Sequence, residues 1–451
     1  MNLLENCSPI IWMNRPYVDL GSFNAGPLHV YGIEFSYYHM IEDEPSDHSV
    51  KISNPVTIIH PISFRESLIR ETGLVQYQVN NPLQLADELR TERWNTLCKY
   101  LIHYQELQPF TKLRVINLLS SLCFHETVIE YTKEISCLEV ANSSILANLS
   151  LCRAISNLML QSHIGTLDNL NEFENIANYS SIGSITRFDA AIHLVAYYAK
   201  IFRNLKAAEF WRIVASQELG HLKSSLDKFS YQLLESVYYR AVVLVPLLQH
   251  DKQTVVREMD LCESLAESLT HECKNEREEI AAHENLTTVF ESRTKEALWL
   301  DEIDLAEERA TKMIQMEPLY SRYRLQLGEI LIKQGKIEEA ARMYRSAARL
   351  GPPGTAIAWF MAGQCHEKLG ELEIACDCYL ASIEMDSLAI SAVERLHNLA
   401  LSLGNLALVN WSNVRLSELR EQQKAIASQP RTSYISEASS ALKKAGEPVM
   451  I

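Results

Sequence analysis

Glu279 and His283 are the first residues whose types and spacing suggest chemistry. They stand four apart, with His271, Glu272 and Glu276 close by. On a helix that spacing puts a carboxylate and an imidazole on one face, as in helical iron and zinc sites. His125, Glu126 and Glu130 make a poorer set, because no second histidine follows at the fourth position. Lys274 and Arg277 interleave with the carboxylates around them. Mixed charge of this density reads as an exposed helix laced with ion pairs, so no metal is expected. The ten cysteines are scattered, and Cys376 and Cys378 are too close along a helix for a metal knuckle. Buried, reduced thiols in a cytoplasmic protein fit that distribution.

Nucleophilic and phosphate-handling motifs are missing from the sequence. There is no Gly-x-Ser-x-Gly, no glycine-rich phosphate loop and no Walker lysine. Enzyme is the less expected class, and no cofactor is expected. A formal net charge of −15 disfavours nucleic acid as the main ligand, because phosphate binding needs clustered basic surface. No apolar run reaches the roughly 18 residues of a membrane span. Met1 to Tyr17 has no basic segment ahead of an apolar stretch, so it does not read as a secretory leader.

The elements that would position any site are mostly helices. Eight of the fourteen prolines lie at or before Pro109, and none falls between Pro109 and Pro246. Residues 1–62 differ from the rest. Leu28 to Tyr38 partly alternates and is rich in aromatic and β-branched residues, which predicts a strand. Residues 50–59 suggest one or two more, forming a small strand-containing cap. Ser63 to Glu66 has the form of a capping box. Helical spacing then predicts helices over 87–105, with Trp94, Leu97, Leu101 and Tyr104 on one face, and over 112–123 and 126–134. Further helices are expected over 146–161, 187–203, 207–219, 227–248, 252–273, 275–300 and 304–316. The divisions expected are the cap at 1–62, a helical packing region at 63–140, a helical-hairpin solenoid at 141–420 and a tail at 421–451. In that tail, Ile435 to Lys444 suits one short amphipathic helix.

Between Tyr320 and Gly404 the sequence repeats itself. Gly328 and Gly363 are followed seven residues later by Gly335 and Gly370, and Gly404 continues the second series. Ala340 and Ala375 match, as do Tyr344 and Tyr379. The step is 35 residues and then 34. A period of this length, with small and aromatic residues at fixed places, belongs to stacked helical hairpins.

Residues 321–354 and 356–389 resemble tetratricopeptide repeats. The first carries Leu327, Gly328, Leu331, Gly335, Ala340, Tyr344, Ala347 and Pro352. The second carries Trp359, Gly363, Gly370, Ala375, Tyr379 and Ser382. His366 departs from the pattern at a position normally large and apolar, and Ser387 replaces the closing proline. Residues 390–416 form a weaker copy, with His397 and Asn413 off pattern, and residues 287–318 a weak preceding one. Ala190 to Leu219 resembles a degenerate hairpin of the same kind.

The resemblance implies an all-α solenoid whose first helices line a concave groove. It assigns Arg322, Leu325, Glu329, Ile332 and Lys333 to the groove from the first repeat. Ile357, Phe360, Gln364, Glu367 and Lys368 follow from the second, and Glu394 and Asn398 from the third. Leu325 and Phe360 beside Glu329 and Glu367 do not make the Lys/Arg/Asn ring that grips a peptide's terminal carboxylate. An apolar or mixed-charge peptide or helix fits better. The function so implied is a protein-binding scaffold, adaptor or ligand-responsive regulator. The alternative is a subunit of an enzyme complex whose specific activity resides in residues 1–150.

Overall fold

Asn204, Asp227, Asp251 and Asn275 each end a turn and open a helix. The side-chain oxygen of each accepts the backbone N–H three residues on, satisfying a donor the helix itself leaves unpaired. The computed structural model describes residues 81–428 except 85–91, 122–123, 136–142, 162–169, 180–181, 317–319, 351–353 and 387. Among the described residues every regular element is a helix and none is a strand. The strands expected within 1–62, the capping box at Ser63 and the tail beyond 428 lie outside the described residues.

The helices are α1 Glu92–Ile102, α2 Pro109–Ser121, α3 His125–Thr132, α4 Ser144–Gln161, α5 Asn171–Asn178, α6 Ser184–Lys200, α7 Leu205–Leu222, α8 Lys228–Val242 and α9 Leu244–Leu248. They continue with α10 Lys252–Glu272, α11 Glu276–Trp299, α12 Ile303–Met316, α13 Ser321–Lys333, α14 Ile337–Arg349, α15 Thr355–Lys368, α16 Leu372–Met385, α17 Ile390–Ser402 and α18 Leu406–Ser428. They form two compact units, and the boundary at Arg309 and Ala310 falls inside α12.

In the N-terminal unit α6 and α7 make the hairpin expected from residues 190–219. Ala208 and Trp211 of α7 are buried against Phe188, Ala191 and Val195 of α6 in one core. Arginine–carboxylate pairs tie successive helices together. Arg187 of α6 reaches Glu218 of α7, Arg212 of α7 reaches Glu258 of α10, and Arg153 of α4 holds Glu172 of α5. One expectation needs correction. Residues 227–248 are not a single helix but α8 and α9, parted at Val243. Pro246 is the reason: it has no N–H for the carbonyl of Val242 and its ring crowds that carbonyl. Helix α5 had no expectation at all.

The hairpin turns share one geometry. Gly335, Gly370 and Gly404 have φ of 78°, 79° and 66°, and Asp301, His250 and Arg203 adopt the same left-handed region at 63°, 58° and 51°. After Gly335 the N–H of Lys336 donates to the carbonyl of Leu331 at 2.9 Å, and after Asp301 that of Glu302 donates to Ala297 at 2.8 Å. This is the helix-ending motif in which a left-handed residue turns the chain and satisfies orphan carbonyls. The turn residues 301, 335, 370 and 404 are spaced 34, 35 and 34 apart. The period therefore reaches one hairpin further back than its glycines reveal.

The C-terminal unit stacks three hairpins, α13–α14, α15–α16 and α17–α18, each helix packing on the next in sequence. Tyr344, Tyr379 and Trp359 are among its largest fully buried side chains.

Candidate functional site: the repeat groove

Two close approaches set the hairpin spacing. A Cβ on Gly328 would lie 2.7 Å from the Tyr344 ring, and one on Gly363 would lie 2.7 Å from the Tyr379 ring. Each glycine thus admits the tyrosine of the second helix flat against the first helix backbone. Ala340 and Ala375 are fully buried one turn earlier, where the second helix makes its own close approach.

The two repeats differ in what their tyrosines meet. The Tyr379 hydroxyl donates to Glu367 Oε2 at 2.7 Å, and Arg395 Nη1 of α17 donates to Glu367 Oε1 at 3.3 Å. Burial, reinforced by the carboxylate it bonds, holds the Tyr379 phenol far above its usual range. Tyr344 is raised as well, by burial first and then by the charge of Glu329, but its hydroxyl has no hydrogen-bond partner among the described residues. The cause is one substitution in the repeat: Ile332 stands where Glu367 stands 35 residues on. Tyr379→Phe should therefore cost about 1–2 kcal/mol, whereas Tyr344→Phe should be neutral or stabilising. Denaturant unfolding of the two variants checks this, and equal losses would contradict it.

The residues that depart from the repeat pattern have found polar partners. His366 is buried and its Nδ1 lies 2.6 Å from Glu371 Oε2. The backbone N–H of Glu371 donates to the His366 carbonyl as well, so this pair closes the turn twice. His397 Nδ1 lies 2.9 Å from the hydroxyl of buried Ser412 on the facing helix.

Of the groove positions, Arg322, Glu329, Lys333, Lys368, Glu394 and Asn398 are exposed, and Leu325, Ile332, Ile357, Phe360, Gln364 and Glu367 are half-buried. Phe360 and Glu367 are brought together through Tyr379, whose ring centroid lies 5.6 Å from that of Phe360. Leu325 belongs to packing too: a Cβ on Gly354 would come within 2.9 Å of its Cδ1. Glu394 pairs with Arg420 at 3.4 Å. Arg395, which joins α17 to α15 through Glu367, was not among the expected residues. Only its charge, opposite to that of Glu367, could have suggested it. At the charged stretch weighed as a metal site, Glu272 pairs with Lys228 at 2.6 Å and accepts from Ser268.

These features define the class. The family described as tetratricopeptide repeat matches residues 321–352 and 356–387, and the chain carries two such repeats there. No curated protein matches the chain in sequence. Among solved structures, a human IFIT1 dimer with PPP-AAAA is 12% identical over 79% of this chain and 85% of its own, at a TM-score of 0.39. The MamA RS-1 ArsTM double mutant is 15% identical, covering 42% of this chain and 96% of its own, at 0.32. The APC/C hetero-tetramer Cut9–Hcn1 is 14% identical, covering 80% and 71%, at 0.27. Likeness of this order defines neither a ligand nor an assembly. No described helix is long and apolar enough to cross a membrane.

Proposed function

We propose that this protein is a non-catalytic, polypeptide-binding scaffold that seats a partner segment on the first-helix face of the repeats at 321–387. The observation that carries this is Phe360. It is a large aromatic held half-buried against Tyr379, on a face that also carries half-buried Leu325, Ile332 and Ile357 among charged and polar groups. Fixed aromatics with exposed charge around them are what interface centres are made of, because they lose little entropy on binding. Arg322, Glu329, Lys333 and Lys368 supply both signs of charge, which suits an amphipathic helix or peptide of mixed charge. Action in the cytoplasm accords with buried thiols such as Cys365 and Cys378, which burial pushes up to about 11 and about 12.

Phe360→Ala should weaken the partner by about tenfold or more and leave the fold intact. Charge reversal at Glu367 is the poorer probe, since it would strand the Tyr379 hydroxyl. The partner is first captured from the source cell and identified by mass spectrometry. Titration calorimetry with the purified partner then reads affinity, circular dichroism reads the fold, and Phe110→Ala, an exposed aromatic in the other unit, is the control. An unchanged affinity in Phe360→Ala would move the site off this groove.

A further inference from the structure

Two contacts tie the three first helices of the C-terminal unit into one face. Leu325 of α13 meets the start of α15, where a Cβ on Gly354 would fall 2.9 Å from its Cδ1. Arg395 of α17 donates to Glu367 of α15 at 3.3 Å. The face carries three carboxylates, and each is already engaged within the chain. Glu367 accepts from Arg395 and from the Tyr379 hydroxyl, Glu394 pairs with Arg420 at 3.4 Å, and Glu329 has an interaction of its own. Lys333 and Lys368 are different. Both are exposed, and neither has a hydrogen-bond or ion-pair partner among the described residues. They stand 35 residues apart at the same place in successive repeats, as the last residues of α13 and α15.

Apolar surface is left open on the same face. Leu401 holds in α17 the place that Ile332 and Glu367 hold in α13 and α15, and it is 56% exposed. Phe360 precedes Lys368 by eight residues on α15. That is about 12 Å of helix rise, close to the roughly 10–12 Å diameter of a helix with its side chains. A partner helix lying on Phe360 and Leu401 therefore brings one flank to the lysines.

We infer that the partner segment is an acidic amphipathic helix, with its apolar stripe on Phe360 and Leu401 and its carboxylates at Lys333 and Lys368. This rests on the first-helix face being the binding site proposed above, and it names the chemistry of the occupant. Both signs of charge are present on the face, but only the positive one is uncommitted. Complementary charge must then come from acids on the partner. A basic segment would have to break the Glu367 and Glu394 pairs to find partners of its own. A single-stranded nucleic acid also brings negative charge and flat rings. Its phosphates recur at every nucleotide, which forces some of them against Glu329, Glu367 and Glu394. Side-chain carboxylates on a helix are placed singly and avoid that repulsion.

Fluorescence anisotropy of the full chain with three labelled probes tests this. The probes are a synthetic peptide of leucine and glutamate at helical period, the same peptide with lysine for glutamate, and oligouridylate. The acidic peptide should bind about tenfold tighter than the basic one. Lys333→Glu with Lys368→Glu should weaken the acidic peptide about tenfold or more and invert that preference. Lys333→Gln with Lys368→Gln should abolish the preference, and serves if the reversed charges at the helix ends lower the melting temperature. Leu401→Ala should weaken both peptides, because it removes an apolar anchor they share. Lys223→Glu, which alters an exposed lysine at the end of α7 in the other unit, should change nothing. Tighter binding of the basic peptide, lost in Phe360→Ala, would keep the face as a site and overturn the acidic partner. Tightest binding of oligouridylate, or no binding of the acidic peptide at about 100 μM, overturns it too. Binding of the acidic peptide that ignores Phe360→Ala and both lysines would overturn the inference and the site together.

Discussion

Truncating Arg293 to alanine should lower the stability of the N-terminal unit by about 3–5 kcal/mol, the cost of stranding a buried charge. Arg293 is 6% exposed and lies 2.7 Å from Asp260, 2.9 Å from Glu263 and 2.7 Å from Glu296. Glu296 is itself 1% exposed, and Arg309, 3.5 Å away, would be its remaining partner. Burial pushes the Glu296 carboxyl up to about 7 even with both arginines opposing the shift. The pH dependence follows from that sign. A carboxyl raised in the folded state is penalised above its unfolded value, and the penalty disappears as the pH falls to that value. The loss in Arg293→Ala should therefore be greatest near pH 8 and shrink towards pH 5, where Glu296 takes a proton. The double variant Arg293→Met, Glu296→Met should recover part of the loss, because apolar side chains can replace a buried pair at little cost. Guanidinium unfolding across this pH range checks both statements. A single variant within about 1 kcal/mol of wild type at pH 8 would show that the cluster carries no such load.

Gly363→Leu should destabilise the C-terminal unit by about 3 kcal/mol, the upper end of ordinary overpacking. The first added atom already falls 2.7 Å from Tyr379 Cε1. That ring cannot swing aside freely, since it is fully buried and its hydroxyl is held by Glu367. Combining Gly363→Leu with Tyr379→Ala should cost clearly less than the sum of the single losses, because the clash disappears with the ring. Gly220 is the contrast. It is also helical, but a Cβ there meets nothing within 4 Å, so Gly220→Ala should stabilise by a few tenths to about 1 kcal/mol. Thermal melts of the four variants decide the matter. Strict additivity at positions 363 and 379 would mean that this contact does not set the hairpin spacing.

The sequence alone determined the helical class and the two repeats, because both rest on local rules. Period and residue size are visible along the chain: small residues at 328 and 363, tyrosines sixteen positions on, and glycine where a left-handed turn is cheapest. The earlier hairpins were legible only as helix pairs, since Arg203, His250 and Asp301 make the same left-handed turn with side chains that advertise nothing. The split of residues 227–248 was decided by Pro246, whose effect falls four residues before it. Where the groove residues find their partners was left to tertiary structure. Phe360, Glu367, Tyr379 and Arg395 meet through three helices, and no spacing within one helix announces that meeting.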